Sequence, residues 1–531
     1  MDIKLSVPQY SPVPNLTVET RPKQVREWLD ALPLANSQES ARKLTDAIAT
    51  INSIKLGDEA RLKVLDLYRT TARLLLPALH QQYVDKPLPL PEKNQQAAAL
   101  TRKLFTELGN GYKLVLIDLV NRRISFGANK LAPLAIGRAI ECLSGILDVC
   151  YEIYGPTPAG VWFELHQLYA YAAQQNMHEA LIAEDEKISI NSLYLQVLLI
   201  ALADPYRLLQ GQLAEVKAYI ARFSQHAQLQ SLGKAENTHG LFLVRLDGDK
   251  PPKALSHHSG VTDARVDIIL NTVPLARVLH QQLKDLEANT APAKLGLPQA
   301  AQQPNYREML KRLIKQWGIA PKRVFNRTPA QNQTFICSGI STLHQALSED
   351  EMQSAVDDDL DTHIILQMSD AQHLLGPSAP STQTYNCANW HVVNESAGGV
   401  ALAKEPGSNT KIKVGDIIGV GDEDAANWGV AIVRWMQSNA ESDLELGAQM
   451  LAPQAEAIAI KPVISAPDTM FQPALRLPEV PGLKQAARIV APRGSFQPMR
   501  EFEVRSQGMT TMVRATQLIE QTDSLDLFFF T

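Results

Sequence analysis

From about residue 21 to residue 230, apolar positions recur at three- and four-residue steps, the spacing of one face of a helix. Leu44, Ile48 and Ile51 follow it, as do Leu62, Leu65, Ala72 and Leu75. Asp58, behind Gly57, is placed to cap the second of these runs. Prolines 87, 89 and 91 punctuate the stretch KPLPLPE, which reads as a linker between helices. A further helix is predicted over about Leu131–Tyr154, stopping at Gly155–Pro156. The next begins after Pro158 and carries Trp162, Leu165, Tyr169 and Ala172 on one face. The residues before about 20 read as an extended, proline-containing arm.

The Trp162 face partly resembles the first helix of a tetratricopeptide repeat, but no recurrence at that repeat's period follows. The pattern therefore predicts an all-α array of helical hairpins over 1–230, whose expected use is as a protein-binding scaffold. Near residue 237 the period shifts. GLFLVRLDGDKPP reads as a strand and a tight turn, and Ala264–Asn271 alternates like a half-buried strand. Helix returns over about Leu275–Glu287, so 231–288 forms a small α/β segment. The Ala/Pro/Gln-rich stretch 289–304 reads as a linker, and a lead-in helix, Tyr306–Trp317, completes 289–320.

From about 321 the pattern is β. QTFICSGI is one strand; NCANWHVVNES and GVALAKE pair around a Ser-Ala-Gly-Gly turn; KVGDIIGVG, WGVAIVRWMQ and LELGAQML follow at short, even spacing. That spacing predicts a small antiparallel barrel over 321–460, with further strands in 461–531 able to supply a second barrel-like module. The fold class expected is thus multidomain α+β, with helices first and antiparallel β-barrel last.

Bulk properties narrow the function. At 531 residues the chain needs two to four domains. Hydrophobic residues at 45% and charged residues at 20% are ordinary globular values. A net charge of -5 argues against broad DNA or RNA binding, which requires a basic face, but leaves room for a local phosphate site. The four cysteines form no CxxC and read as reduced, buried thiols. The start MDIKLSVPQYSPVPNL is not a signal peptide, and the longest apolar run falls short of the ~20 residues that cross a bilayer. A soluble, cytoplasmic protein is expected.

Candidate chemistry lies in two short motifs. Arg323-Val-Phe-Asn-Arg327 sits between a helix and a strand, beside Lys322 and Phe325. Spacing alone carries little, since Arg69-Thr-Thr-Ala-Arg73 shares it and reads as a solvated helix face. Two guanidiniums on an extended lead-in, however, suit a guanine nucleotide: the fork reaches guanine O6 and N7, the plane stacks on a base, and phosphate is bound bidentately. The second motif is Asn394-Glu-Ser396-Ala-Gly-Gly399. Its carboxamide and hydroxyl offer hydrogen bonds, and its glycines permit a close backbone approach. Taken alone, this hexapeptide reads better as an ordinary hairpin turn than as a binding motif.

Arg-x-x-x-Arg before the first strand, then Asn-x-Ser-x-x-Gly between later strands, resembles the signature of the PilZ-domain cyclic di-GMP receptor family. Gly429–Trp435 followed by Leu444–Leu451 resembles that family's paired late strands. The resemblance covers about 321–460. It implies a non-enzymatic receptor in which Arg323 and Arg327 grip the phosphates and Hoogsteen edges of cyclic di-GMP, while Asn394, Ser396 and Gly399 hold a guanine on the barrel. Ligand binding would then regulate protein interactions of the helical region. The alternative is a chaperone-like or structural scaffold with a degenerate barrel. One departure stands out: 66 residues separate Arg327 from Asn394, and the surplus, about 347–385, reads as an acidic insertion outside the barrel.

Other clusters are weaker. Asp357, Asp358, Asp359, Asp361 and His363 lack the spacing of a calcium loop, and His257-His258 lacks partners for a metal. No nucleophile or acid–base constellation points to catalysis, and no metal or cofactor is expected.

Overall fold

The computed structural model describes residues 3–12, 18–121, 128–182, 188–233, 237–258, 260–318, 327–330, 332–348, 387–396, 398–405, 410–421, 428–438, 444–464, 469–479 and 486–531. The chain divides into two compact units. One comprises residues 1–86 and 90–322, the other residues 87–89 and 323–531. The multidomain α+β architecture expected from the pattern is present, with helices leading and antiparallel barrels following.

The first unit is built on helices α1 (Pro22–Asp30), α2 (Ser37–Asn52), α3 (Asp58–His80), α4 (Glu92–Asn121), α5 (Ala128–Glu152), α6 (Val161–Gln174), α7 (Ile190–Leu202) and α8 (Gln212–Phe223). The periodic residues named above form its core: Leu44, Ile48, Ile51, Leu62, Leu65, Ala72 and Leu75 are all buried. Local signals set the ends. The Asn36 side chain accepts from the Glu39 backbone N–H, and Glu39 pairs with Lys43 one turn on. Asp58 is the first helical residue of α3, so Gly57 rather than Asp58 takes the capping position.

A four-stranded sheet follows: β1 (Gln228–Ser231), β2 (Leu241–Arg245), β3 (Lys253–Ala254) and β4 (Asp267–Asn271), in the order β1-β4-β2-β3. The tight turn after β2 has a packing role. Asp249 accepts hydrogen bonds from Gly160 N (2.6 Å) and Phe163 N (3.0 Å), capping α6 across more than 80 residues of chain. Helices α9 (Val273–Glu287) and α10 (Pro304–Gly318) bury Leu275, Leu279, Leu310 and Trp317 in the same core as α1–α8. Residues 289–304, expected as a linker, instead contain two 3-10 turns, Pro292–Leu295 and Gln299–Gln302. Leu297 and Ala301 are buried there, so packing overrides a composition that reads as loop.

Arg69 and Arg73 correct the reading of a solvated face. They converge with Arg138 on Glu141 of α5, at 2.8, 3.8 and 3.1 Å, and only Arg73 stays mainly exposed. Packing of α5 across this region covers what one helix alone would leave to water.

The second unit begins with β5 (Thr328–Pro329), β6 (Gln333–Ser338) and a helix over 340–348. Then come β7 (Cys387–Ser396), β8 (Gly399–Lys404), β9 (Ile417–Gly421), β10 (Gly429–Ser438) and β11 (Leu444–Ala452). The sheet runs β5-β7-β6-β9-β10-β11-β8, and β7–β8 pairing closes it. The acidic insertion expected over 347–385, with Asp357–His363, lies almost wholly outside the described residues. Strands β12 (Glu456–Pro462), β13 (Gln472–Leu477), β14 (Arg488–Pro492), β15 (Glu501–Ser506), β16 (Met509–Gln521) and β17 (Leu525–Phe530) close a second barrel around Ile460, Ile489, Phe502, Val504 and Phe528.

Two of the four cysteines overturn the expectation of reduced thiols. Cys337 and Cys387 are register partners on β6 and β7 and form a disulfide, with Cα atoms 4.1 Å apart. Fifty residues of sequence separate them, so spacing could not reveal what strand pairing brings together. Cys142 and Cys150 are buried free thiols, and burial pushes Cys142 up to about 12.

Candidate functional site

Strand β7 organises the site, because its last residues pair on both edges. On one edge β5 lies antiparallel, with Thr328 opposite Glu395 and Pro329 opposite Asn394. One step back along that register sets Arg327 across from Ser396. On the other edge, Ser396 faces Gly399, Glu395 faces Val400 and Asn394 faces Ala401. Two motifs 66 residues apart in the chain are thus adjacent through a single strand.

Pleating decides which face they occupy. The row Val392–Leu402–Leu446–Met436 crosses β7, β8, β11 and β10 with every member buried, so it points into the barrel. The next row, Asn394–Ala401–Gly447–Trp435, points the opposite way, onto the outer face. Ser396, Gly399 and Gln449 form a second outward row, two residues on. Asn394 and Ser396 are half-buried, and Arg327 is exposed. Ser396 Oγ donates to the Gly399 carbonyl at 3.2 Å, which closes the hairpin and leaves the hydroxyl's lone pairs to accept.

Gly399 and Gly447 keep this surface flat for structural reasons. A Cβ on Gly399 would meet Ala448 O at 2.3 Å, where β8 and β11 pair. A Cβ on Gly447 would meet Trp435 Nε1 at 1.9 Å, so the indole lies directly over that glycine. The hairpin-turn explanation of Gly399 therefore holds in part: barrel closure alone demands a glycine there.

Two residues went unnoticed in the sequence. Trp435 forms an aromatic wall beside Asn394, across the small residues Ala401 and Gly447. Arg434 donates from Nε to Gln449 Oε1 (2.8 Å) and from both terminal nitrogens to the Glu520 carboxylate of β16. A register break between Val433 and Trp435 turns these neighbours outward together. Strand alternation predicts one of them facing in, so only the bulge reveals the pair. Lys322 and Arg323 lie outside the described residues.

The arrangement offers hydrogen-bond donors and acceptors, a flat floor, an aromatic wall and guanidinium charge. Such a surface can hold a planar base that carries phosphate. Among the described residues, no cluster of three or more His, Cys, Asp or Glu could hold a metal, and no helix is long and apolar enough to cross a membrane.

Known proteins match the chain over most of its length. Three family models, described as the N-terminal domain, the middle PilZ domain and the C-terminal β-barrel domain of the cyclic-di-GMP receptor FimW, match residues 23–235, 241–457 (in two overlapping segments, 241–375 and 367–457) and 458–531. The middle match starts at 241, well ahead of the region about 321–460 that the sequence motifs pick out. The cyclic-di-GMP receptor FimW of Pseudomonas aeruginosa is 26% identical over 536 aligned residues, which cover 92% of this chain and 87% of that protein.

Proposed function

We propose, since this chain belongs to the PilZ-domain cyclic di-GMP receptor family, that it is a cyclic di-GMP effector whose ligand lies on the outer face of the first barrel. Arg323 and Arg327 grip the phosphates and the Hoogsteen edges of guanine. Asn394 and Ser396 hydrogen-bond one guanine, Gly399 lets it approach the backbone, and Trp435 stacks against it. The observation that carries the reading is the pairing of β7 with both β5 and β8, which sets Arg327 beside Ser396 and Gly399.

In this reading the protein binds and does not catalyse, acts in the cytoplasm, and uses nucleotide occupancy to alter which protein the helical unit engages. Such coupling requires the ligand to prefer one of two states. The test is calorimetry of the full chain with micromolar cyclic di-GMP. Saturable heat is expected, with Arg323→Ala and Arg327→Ala each lowering affinity at least tenfold. A folded protein that gives no heat overturns the reading, and unchanged affinity in both variants overturns the site. For the output, immobilised chain should retain different protein partners with and without nucleotide. Identical recovery supports a scaffold instead.

A further inference from the structure

The C-terminal barrel packs against the first barrel through one shared apolar cluster, in which Ile417, Val430 and Ile432 meet Leu475, Val490, Leu525 and Leu527. Arg434 stands at the margin of that contact. It lies two residues after Ile432, which that cluster covers, and it precedes Trp435 of the open face. Its partner Gln449 is the register neighbour of Gly399, which in turn faces Ser396. Arg434 is therefore two strands from the hairpin, about 10 Å, a gap that an arginine side chain and a dinucleotide phosphate close together.

The three donor nitrogens of Arg434 are all engaged. Nε bonds Gln449, while Nη1 and Nη2 form a fork on Glu520, with Nη2 at 2.8 Å. The pair is partly withdrawn from water, with side-chain exposures of 29% and 16%. Screening is reduced there, and an anion arriving on the adjacent face must compete with Glu520 for the guanidinium.

The geometry points to Arg434 as a third phosphate-binding arginine, which Glu520 of the C-terminal barrel holds while the site is empty and which the nucleotide takes over. This rests on the reading that the outer face binds cyclic di-GMP. The exchange is one of ion-pair partners: the ligand phosphate replaces the Glu520 carboxylate on Arg434, and Glu520 returns to solvent. The C-terminal barrel thereby sets the affinity of the first barrel and registers its occupancy, a reciprocal coupling between two sites.

The test is calorimetry of the full chain with cyclic di-GMP, comparing wild type, R434Q, E520Q and the double variant. R434Q should weaken binding about tenfold, E520Q should tighten it about fivefold, and the double variant should match R434Q. Unchanged or weaker binding by E520Q, or a gain that survives in the double variant, overturns the proposal. Where E520Q folds poorly, E520D withdraws the carboxylate by one methylene and carries the same expected sign. Hydrogen exchange gives a second readout: saturating nucleotide should speed exchange across 509–521 in wild type and not in R434Q. Wild type that gives no binding heat at all overturns the underlying reading instead, which separates the two failures.

Discussion

The carbonyl oxygen of Ala448 stands 2.3 Å from where a Cβ on Gly399 would be. A residue that the motif assigns to nucleotide contact is thus also required for β8 and β11 to pair. Gly399→Ala should lower the stability of the barrel unit by about 1–3 kcal/mol through overpacking. Ser396→Ala removes the hydroxyl that bonds the Gly399 carbonyl, so it should weaken cyclic di-GMP binding at a stability cost of about 1 kcal/mol or less. Thermal melts beside calorimetry separate the two roles. Equal stability losses in both variants would count against the assignment of Ser396 to the ligand.

Trp435 gives a cleaner probe of the face, because it reaches over Gly447 without filling the barrel interior. Trp435→Ala should cost about 1–3 kcal/mol of nucleotide binding, the scale of one base–aromatic stack. Trp435→Phe should recover most of it. Calorimetry on both variants checks the order; equal affinity in wild type and Trp435→Ala removes the residue from the site.

Much of the fold was legible because periodicity reports burial. Leu44, Ile48, Ile51 and the β8–β11 alternation each name a face that must be covered. What escaped is what only packing creates. Arg69 looks like surface until α5 lies across it, and Cys337 and Cys387 look unrelated until β6 and β7 pair. The site divides the same way. Asn394, Ser396 and Gly399 are contiguous enough to read as a motif, and the structure joins Arg327 to them. Trp435 and Arg434 depend on a bulge, which has no fixed sequence mark.

In the helical unit, Glu141 balances Arg69 and Arg138, whose side chains are only 12% and 6% exposed. Glu141→Gln removes one carboxylate from this cluster, while Asp66, which interacts electrostatically with Arg138 and Arg69, stays in place. A loss of about 2 kcal/mol is expected, the scale of a hydrogen bond to a charged group. Urea unfolding of the full chain should show a lower midpoint for the transition of the helical unit, and the transition of the barrels should not move.

The Cys337–Cys387 bond closes a loop spanning 50 residues of sequence. Loop closure of that length corresponds to about 4 kcal/mol in the chain-entropy account. Reduction should therefore lower the melting temperature of the barrel unit, and Cys337→Ser should reproduce the shift without reductant. Alkylation after mild reduction should label the half-buried Cys387 first, since Cys337 is itself buried. Cys142 and Cys150 are buried, with burial raising both thiols and suppressing their reactive thiolate. Labelling of Cys387 in unreduced native protein would show that the bond is absent.

His166 predicts how the helical unit responds to acid. Its imidazole is buried between the Tyr194 hydroxyl (2.6 Å) and the Lys250 carbonyl (2.9 Å), and desolvation lowers its pKa to about 4. The ordinary value is near 6.5. Between those limits the unfolded chain binds the proton and the folded chain does not, so protonation favours unfolding. The contribution is complete above pH 6.5 and is lost as pH falls toward 4, amounting to about 3 kcal/mol over the interval. His80 acts with the opposite sign. Its bond to Glu152 raises its pKa, so its stabilisation is full below pH 6.5 and fades as pH rises through the raised value. Melting of wild type and His166→Gln from pH 7 to pH 4 distinguishes them. The variant should start less stable, having lost a buried hydrogen-bonded ring, but should decline less steeply with acid. Parallel slopes for the two proteins would mean that His166 is not the group that takes up the proton.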